Sequence, residues 1–145
     1  MKVQVFNSKT SETFKPEPSS IIIRITSNAE FAPMEHRELF KDILELRFDD
    51  ISDTHPKEDS MLYGAMTSDH YHQIKAFMDK NIDSFQLFVH CDAGQSRSPA
   101  VAISVLDYLL NDPEQSQQLL QKNRHWKPNS HVSSFFSRDY WNSQS

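Results

Sequence analysis

The stretch FVHCDAGQSRSPAVA, residues 88–102, joins an apolar run to a second apolar run through a short loop of small and polar residues. The first run closes FQLFVH, Phe85 to His90, nearly continuous in the way of strands buried in the middle of a sheet. The second opens PAVAISVLDYLLN, apolar on all sides except at Ser104 and Asp107, with Pro99 in a first turn where its missing N–H costs nothing. A buried strand, a tight loop and a buried helix are therefore expected. The loop holds the only cysteine of the chain, Cys91, and one of its two glycines, Gly94.

In an open α/β sheet, ligands gather beyond the carboxyl ends of the strands, and this loop sits at such an end. A helix starting near Arg97 or Ser98 points its unpaired first-turn N–H groups and the positive end of its dipole back at the loop. Gly94 allows a positive φ, so successive backbone N–H groups can curl round one centre as an anion-binding nest. Arg97 adds a planar fork of donors that suits two oxygens of a phosphate. A free cysteine is most often a small buried hydrophobe, but that reading leaves the glycine, the arginine and the hydroxyls around Cys91 unexplained. Cysteines at helix N-termini beside a cation ionise readily, and a thiolate here would be a nucleophile facing a bound anion.

The rest of the chain supplies a layered frame. MKVQVFN, the β-branched SSIIIRITS, and DILELRF, where Ile43 and Glu45 alternate with Leu44, Leu46 and Phe48, read as strands. DHYHQIKAFMDKN, capped by Thr67 or Ser68, puts Ile74, Phe77 and Met78 on one helical face. PEQSQQLLQKNR opens on a proline suited to a first turn, and SHVSSFFSRDYW forms a last helix with Val132, Phe135, Phe136 and Tyr140 as its apolar set. SDTHPKEDSMLYG reads as an exposed loop and NSQS as a frayed tail. Strands alternating with helices predict an α/β fold with a central, mainly parallel sheet of four to five strands flanked by helices, one domain over residues 1–145.

Composition narrows the function. The net charge of −5 and the scattering of the seven histidines leave no basic field for nucleic acid or anionic lipid, so any anion must be held by a local device. One cysteine permits neither an intramolecular disulfide nor a multi-thiolate metal site, which fits a reducing compartment, the cytoplasm. No run approaches the roughly 18 to 20 apolar residues of a membrane helix, and MKVQVFNSKTSETF lacks the pattern of a signal peptide. A soluble protein, unattached to membranes, is expected.

HCDAGQSRS, residues 90–98, has the form His-Cys, five residues, Arg, Ser, and resembles the phosphate-binding loop of the cysteine-based protein tyrosine phosphatases, the dual-specificity type in particular. NRHWKPNSHVSSF is similar to the segment of those proteins in which a Pro-Asn pair, here Pro128 and Asn129, sits near the catalytic loop before the last helix. The resemblance runs from about Leu44 to the end, while the first 40 or so residues match nothing specific. It implies a protein tyrosine phosphatase-like fold and a phosphomonoester hydrolase of tyrosine or dual specificity, with no metal or cofactor, acting on a phosphorylated protein or peptide. A monomer is expected.

Residue by residue, the resemblance makes Cys91 the nucleophile that becomes a phosphocysteine. The backbone N–H groups of Asp92, Ala93, Gly94, Gln95, Ser96 and Arg97, with the Arg97 guanidinium, would hold the phosphoryl oxygens. Ser98 would hydrogen-bond the thiolate, and His90 would fix the loop from behind with Asn129 in support. The general acid would come from LRFDDISD and aligns to Asp50, with Asp49 and Asp53 as alternatives. The chain departs from the pattern in four ways. It has no Trp-Pro-Asp acid loop, THPKEDSMLYGAMTS looks inserted, the separate phosphotyrosine-clamping segment of the family is not found, and Asp92 and Gln95 stand where lipid or RNA phosphatases of the superfamily tend to carry lysines. Two other readings stay open: a phosphate- or phosphopeptide-binding module of the same fold without turnover, and a rhodanese-like sulfur transferase that also uses a loop cysteine.

Overall fold

The computed structural model describes residues 1–144. Strands β1 (Lys2–Asn7), β2 (Ser20–Thr26), β3 (Asp42–Arg47) and β4 (Gln86–Cys91) form one sheet in the order β1-β4-β2-β3, with every pairing parallel. Helices α1 (Ser8–Thr13), α2 (Ser68–Lys80), α3 (Arg97–Ser104), α4 (Pro113–Lys122) and α5 (Ser130–Ser143) connect and cover it. The four expected strands are all present, and the sheet has the lower of the two expected strand counts.

β2 and β4 occupy the middle of the sheet and are buried along nearly their whole length, whereas the edge strands β1 and β3 are only partly buried. With the two-residue period of a strand, Ile21, Ile23 and Ile25 of β2 and Leu87, Val89 and Cys91 of β4 join the larger core with Ile74 and Met78 of α2, Ala100 and Val101 of α3, and Phe136 of α5. Ile22 and Phe88 face the other way, into a smaller cluster with Phe40, Phe6 and Phe14. The alternation puts Cys91 on the helix-covered face and its neighbour His90 on the opposite one.

Several local features differ from the sequence reading. The segment that matched no motif supplies β1 and the central strand β2, and between them Asn7 caps the short α1 by accepting from Thr10 N–H at 2.8 Å. Thr67 is the cap of α2, in a reciprocal capping box with His70. The expected helix PAVAISVLDYLLN is α-helical only to Ser104 and then widens into a π-helical segment, Val105–Leu109, closed by a 2.8 Å bond from Leu110 N–H to Val105 O. α5 continues through Ser143, so NSQS begins inside a helix, and Ser145 lies outside the described residues. Among the described residues no helix is long and apolar enough to cross a membrane.

Candidate active site

Cys91 is the last residue of β4 and only 2% exposed. The chain turns back over its sulfur: Gly94 N–H donates to Sγ at 3.2 Å, and Ser98 Oγ, fully buried at the start of α3, lies 3.1 Å from it. Gly94 has φ +73°, and a Cβ there would stand 3.0 Å from the backbone oxygen of Phe6, so both the conformation and the close approach to β1 require glycine. Of the N–H groups expected to form a nest, that of Gly94 is turned in to the sulfur.

Arg97 is 6% exposed. Its Nη1 donates to Ser27 Oγ and Phe48 O, both at 2.7 Å, and its Nη2 to Asp92 Oδ2 at 3.1 Å. Nε is buried without a partner. An orphaned buried donor is costly, and a bound oxyanion would satisfy it. Asp92, read from the sequence only as a backbone donor, has a second role. Its carboxylate accepts from Thr26 Oγ1 at 2.7 Å and Ser27 N–H at 3.1 Å while holding Arg97. Burial pushes the Asp92 carboxyl up, but the bonds from Thr26 and Ser27 and the charge of Arg97 outweigh it and keep the group below the usual carboxylate range.

The three candidate acids go to different places. Asp50, half-buried, accepts through Oδ1 from Ser96 Oγ and from Asn129 Nδ2, each at 2.7 Å. Asp49, 1% exposed, turns the other way. Its Oδ2 accepts from Tyr63 N–H and Gly64 N–H at 2.8 Å, and its own N–H donates to Gly64 O at 2.7 Å, so it fastens the long inserted segment onto itself. Asp53 is exposed. Asn129 is what ties the pieces together: its N–H donates to Ser96 O, its Nδ2 also donates to Ile51 O, and its Oδ1 caps α5 by accepting from Val132 N–H. Beside the loop lies a cavity of about 600 Å³ lined by Asp50, Gln95, Ser96 and Asn129, with His55, His125 and Lys127 on its walls.

Behind the loop, His90 is 1% exposed. Its Nε2 accepts from Arg24 Nε at 2.9 Å and its Nδ1 lies 3.3 Å from Cys91 O. Burial pushes its pKa down to about 4, so the ring is neutral at neutral pH. Arg24, Thr26 and Ser27 were not singled out in the sequence. The signal was an arginine followed by hydroxyls in the otherwise apolar IIIRITS, on the strand that proves to lie beside β4.

No protein-family model matches the sequence, and no curated protein is significantly similar to it. Solved structures are. A mouse protein described as a dual specificity phosphatase, complexed with zinc tungstate, superposes with a TM-score of 0.61 at 15% identity over 98% of this chain and 84% of its own. The human tyrosine phosphatase-like serine/threonine/tyrosine-interacting protein gives 0.58 at 20% identity, covering 87% and 79%. PTPMT1 in complex with PI(5)P gives 0.54 at 19% identity, covering 86% and 80%. At these identities the likeness is one of fold: the chain has the α/β architecture of the dual-specificity and tyrosine phosphatase-like proteins.

Proposed function

We propose that this chain, built on the fold of the cysteine-based phosphatases, is a metal-independent phosphomonoester hydrolase acting on phosphorylated protein or peptide, of tyrosine or dual specificity. The observation that carries the reading is the meeting, in one loop, of the Cys91 sulfur, Ser98 Oγ at 3.1 Å, and a buried Arg97 whose Nε lacks a partner. Phosphoryl transfer needs little from a protein beyond positioning and charge stabilisation, and such a loop supplies both. The Cys91 thiolate attacks phosphorus, the bond from phosphorus to the leaving oxygen breaks, and protonated Asp50 delivers its proton to that oxygen. Water then attacks the phosphocysteine, giving its proton to Asp50, while Ser98 donates to the departing sulfur and makes it a better leaving group. Arg97 and the backbone N–H groups from Asp92 to Arg97 bind the equatorial oxygens through both steps. Asp50 is favoured over Asp49 because it touches the loop through Ser96, whereas Asp49 is engaged by Tyr63 and Gly64.

Hydrolysis of an aryl phosphate in the presence of EDTA tests the reading: turnover should persist, and Cys91→Ser should remove it. A strict metal requirement, or indifference to that substitution, overturns it. The second reading, a phosphate-binding module without turnover, is favoured by one observation: a similar fold belongs to a protein named as phosphatase-like and interacting. Tight phosphopeptide binding by the intact chain, with no release of phosphate, would select it.

A further inference from the structure

The parallel register places four residues in one row across the sheet, on the face turned away from the Cys91 side chain. Phe6 of β1 pairs with His90 of β4, His90 with Arg24 of β2, and Arg24 with Glu45 of β3. Phe6 stacks on the imidazole, with centroids 5.8 Å apart and planes inclined by 14°. Arg24 is 1% exposed and each nitrogen of its guanidinium has an acceptor: Nε donates to His90 Nε2 at 2.9 Å, Nη1 to Glu45 Oε2 at 2.8 Å, and Nη2 to Ala32 O. Glu45 is held in turn from outside by Arg37 at 3.2 Å.

We propose that Arg24 is a positioning residue for the catalytic loop, acting through the tautomer of His90. A guanidinium can only donate. Because Arg24 Nε–H points at His90 Nε2, that nitrogen must carry a lone pair, and the single proton of the neutral ring must sit on Nδ1. Nδ1–H then donates to Cys91 O. The consequence lies at the nucleophile. A carbonyl oxygen turned toward the sulfur would oppose a thiolate and the incoming phosphate, and a nest needs its N–H groups inward and its carbonyls outward. The bond from His90 holds the Cys91 carbonyl away from the sulfur, which leaves Gly94 N–H to turn in to it. With the opposite tautomer, Nε2–H would confront Arg24 Nε–H and Nδ1 would confront Cys91 O, one donor–donor and one acceptor–acceptor contact in a buried row. Glu45 balances the charge of Arg24 and fixes its fork, so the row reads from the edge strand inward as carboxylate, guanidinium, imidazole, carbonyl.

The kinetic arm of the test rests on the proposed phosphatase reaction, and the other two arms do not. Long-range nitrogen–proton NMR on the ¹⁵N-labelled full chain, with the His90 signals assigned by their loss in His90→Gln, should show a neutral ring protonated at Nδ1. A ring protonated at Nε2 overturns the proposal without any substitution at Arg24. In Arg24→Met, the same spectrum should lose the Nδ1–H preference, alkylation of Cys91 by iodoacetamide should slow, and kcat for an aryl phosphate should fall roughly tenfold with KM little changed, as for a small misplacement of a reacting group. Arg24→Lys, which keeps a donor, should recover part of the loss. A changed tautomer with unchanged alkylation rate overturns the positioning role. Should Arg24→Met not fold, the spectrum of the unsubstituted chain still decides the tautomer. An unsubstituted chain without turnover but with Nδ1–H and a reactive Cys91 would count against the phosphatase reading alone.

Discussion

Behind Cys91, three buried side chains, His90, Arg24 and Arg97, are tied in by hydrogen bonds: His90 to Arg24, Arg24 to the half-buried Glu45, and Arg97 to the half-buried Asp92 and Ser27. In front of it, Asp50 is held by two hydrogen bonds, from Ser96 and Asn129, at the head of a segment that is exposed from Asp53 to Ser60. The difference matches the work proposed for each region. A nucleophile and an oxyanion clamp must keep their geometry through both half-reactions, while an acid at the mouth has to admit a substrate and let a product go. Buried side chains held by several hydrogen bonds each suit the first task, and a few bonds at a half-buried edge suit the second.

Substitutions can break this contrast from either side. The largest effect is expected in front. Asp50→Asn should lower kcat by about 10²- to 10⁴-fold on substrates with poor leaving groups and far less on activated aryl phosphates. An equal loss on both would remove Asp50 as the acid and bring Asp49 or Asp53 back. At the rear, Gly94→Ala forces an L-residue to φ +73° with its Cβ 3.0 Å from Phe6 O, and should cost about 3 kcal/mol in denaturant unfolding together with most of the activity. A Gly94→Ala variant as stable as the parent would mean that the loop is not pinned against β1.

Proton linkage sharpens the rear further. The folded-state pKa of His90, about 4, lies below the value of about 6.5 for an unfolded histidine, so the unfolded chain binds the proton more readily. The stability contributed by the neutral ring is therefore present above about pH 6.5 and is lost as pH falls toward 4. Between pH 7 and pH 5, the parent should lose about 2 kcal/mol more than His90→Gln does, read from urea midpoints at the two pH values. Parallel losses would show that His90 titrates freely and that the rear is not dry. The smallest effect belongs to the front: Asn129→Ala removes the cap of α5 and one of the two bonds to Asp50, and should cost about 1 kcal/mol of stability. Its kinetic loss should follow the leaving-group pattern of Asp50→Asn.

The two regions also differed in how far the sequence disclosed them. HCDAGQSRS carries its chemistry within one loop, where Cys91, Gly94, Arg97 and Ser98 are brought together by a single turn, so local spacing was enough. The anchors of that loop come from the segment that matched no motif. Arg24, Thr26 and Ser27 reach His90, Asp92 and Arg97 only because β2 lies beside β4, a fact of sheet order rather than of spacing. Asp49 and Asp50 were inseparable for a related reason. Successive residues of an extended segment point to opposite sides, and which side held the Cys91 loop depended on Ser96 and Asn129, far along the chain. α1 escaped notice because SKTSET has no apolar periodicity to reveal it, and the π-helical segment because its apolar pattern also fits an α-helix.

The central claim is that Cys91 carries the phosphoryl group between two displacements. Rapid acid quenching of Ser98→Ala during turnover of an aryl phosphate, followed by mass analysis of the peptide containing Cys91, tests it most directly. The account predicts one phosphoryl group on the Cys91 sulfur, more abundant in Ser98→Ala than in the parent because water then displaces a poorer leaving group. Steady hydrolysis with the Cys91 peptide unmodified in both proteins would contradict it.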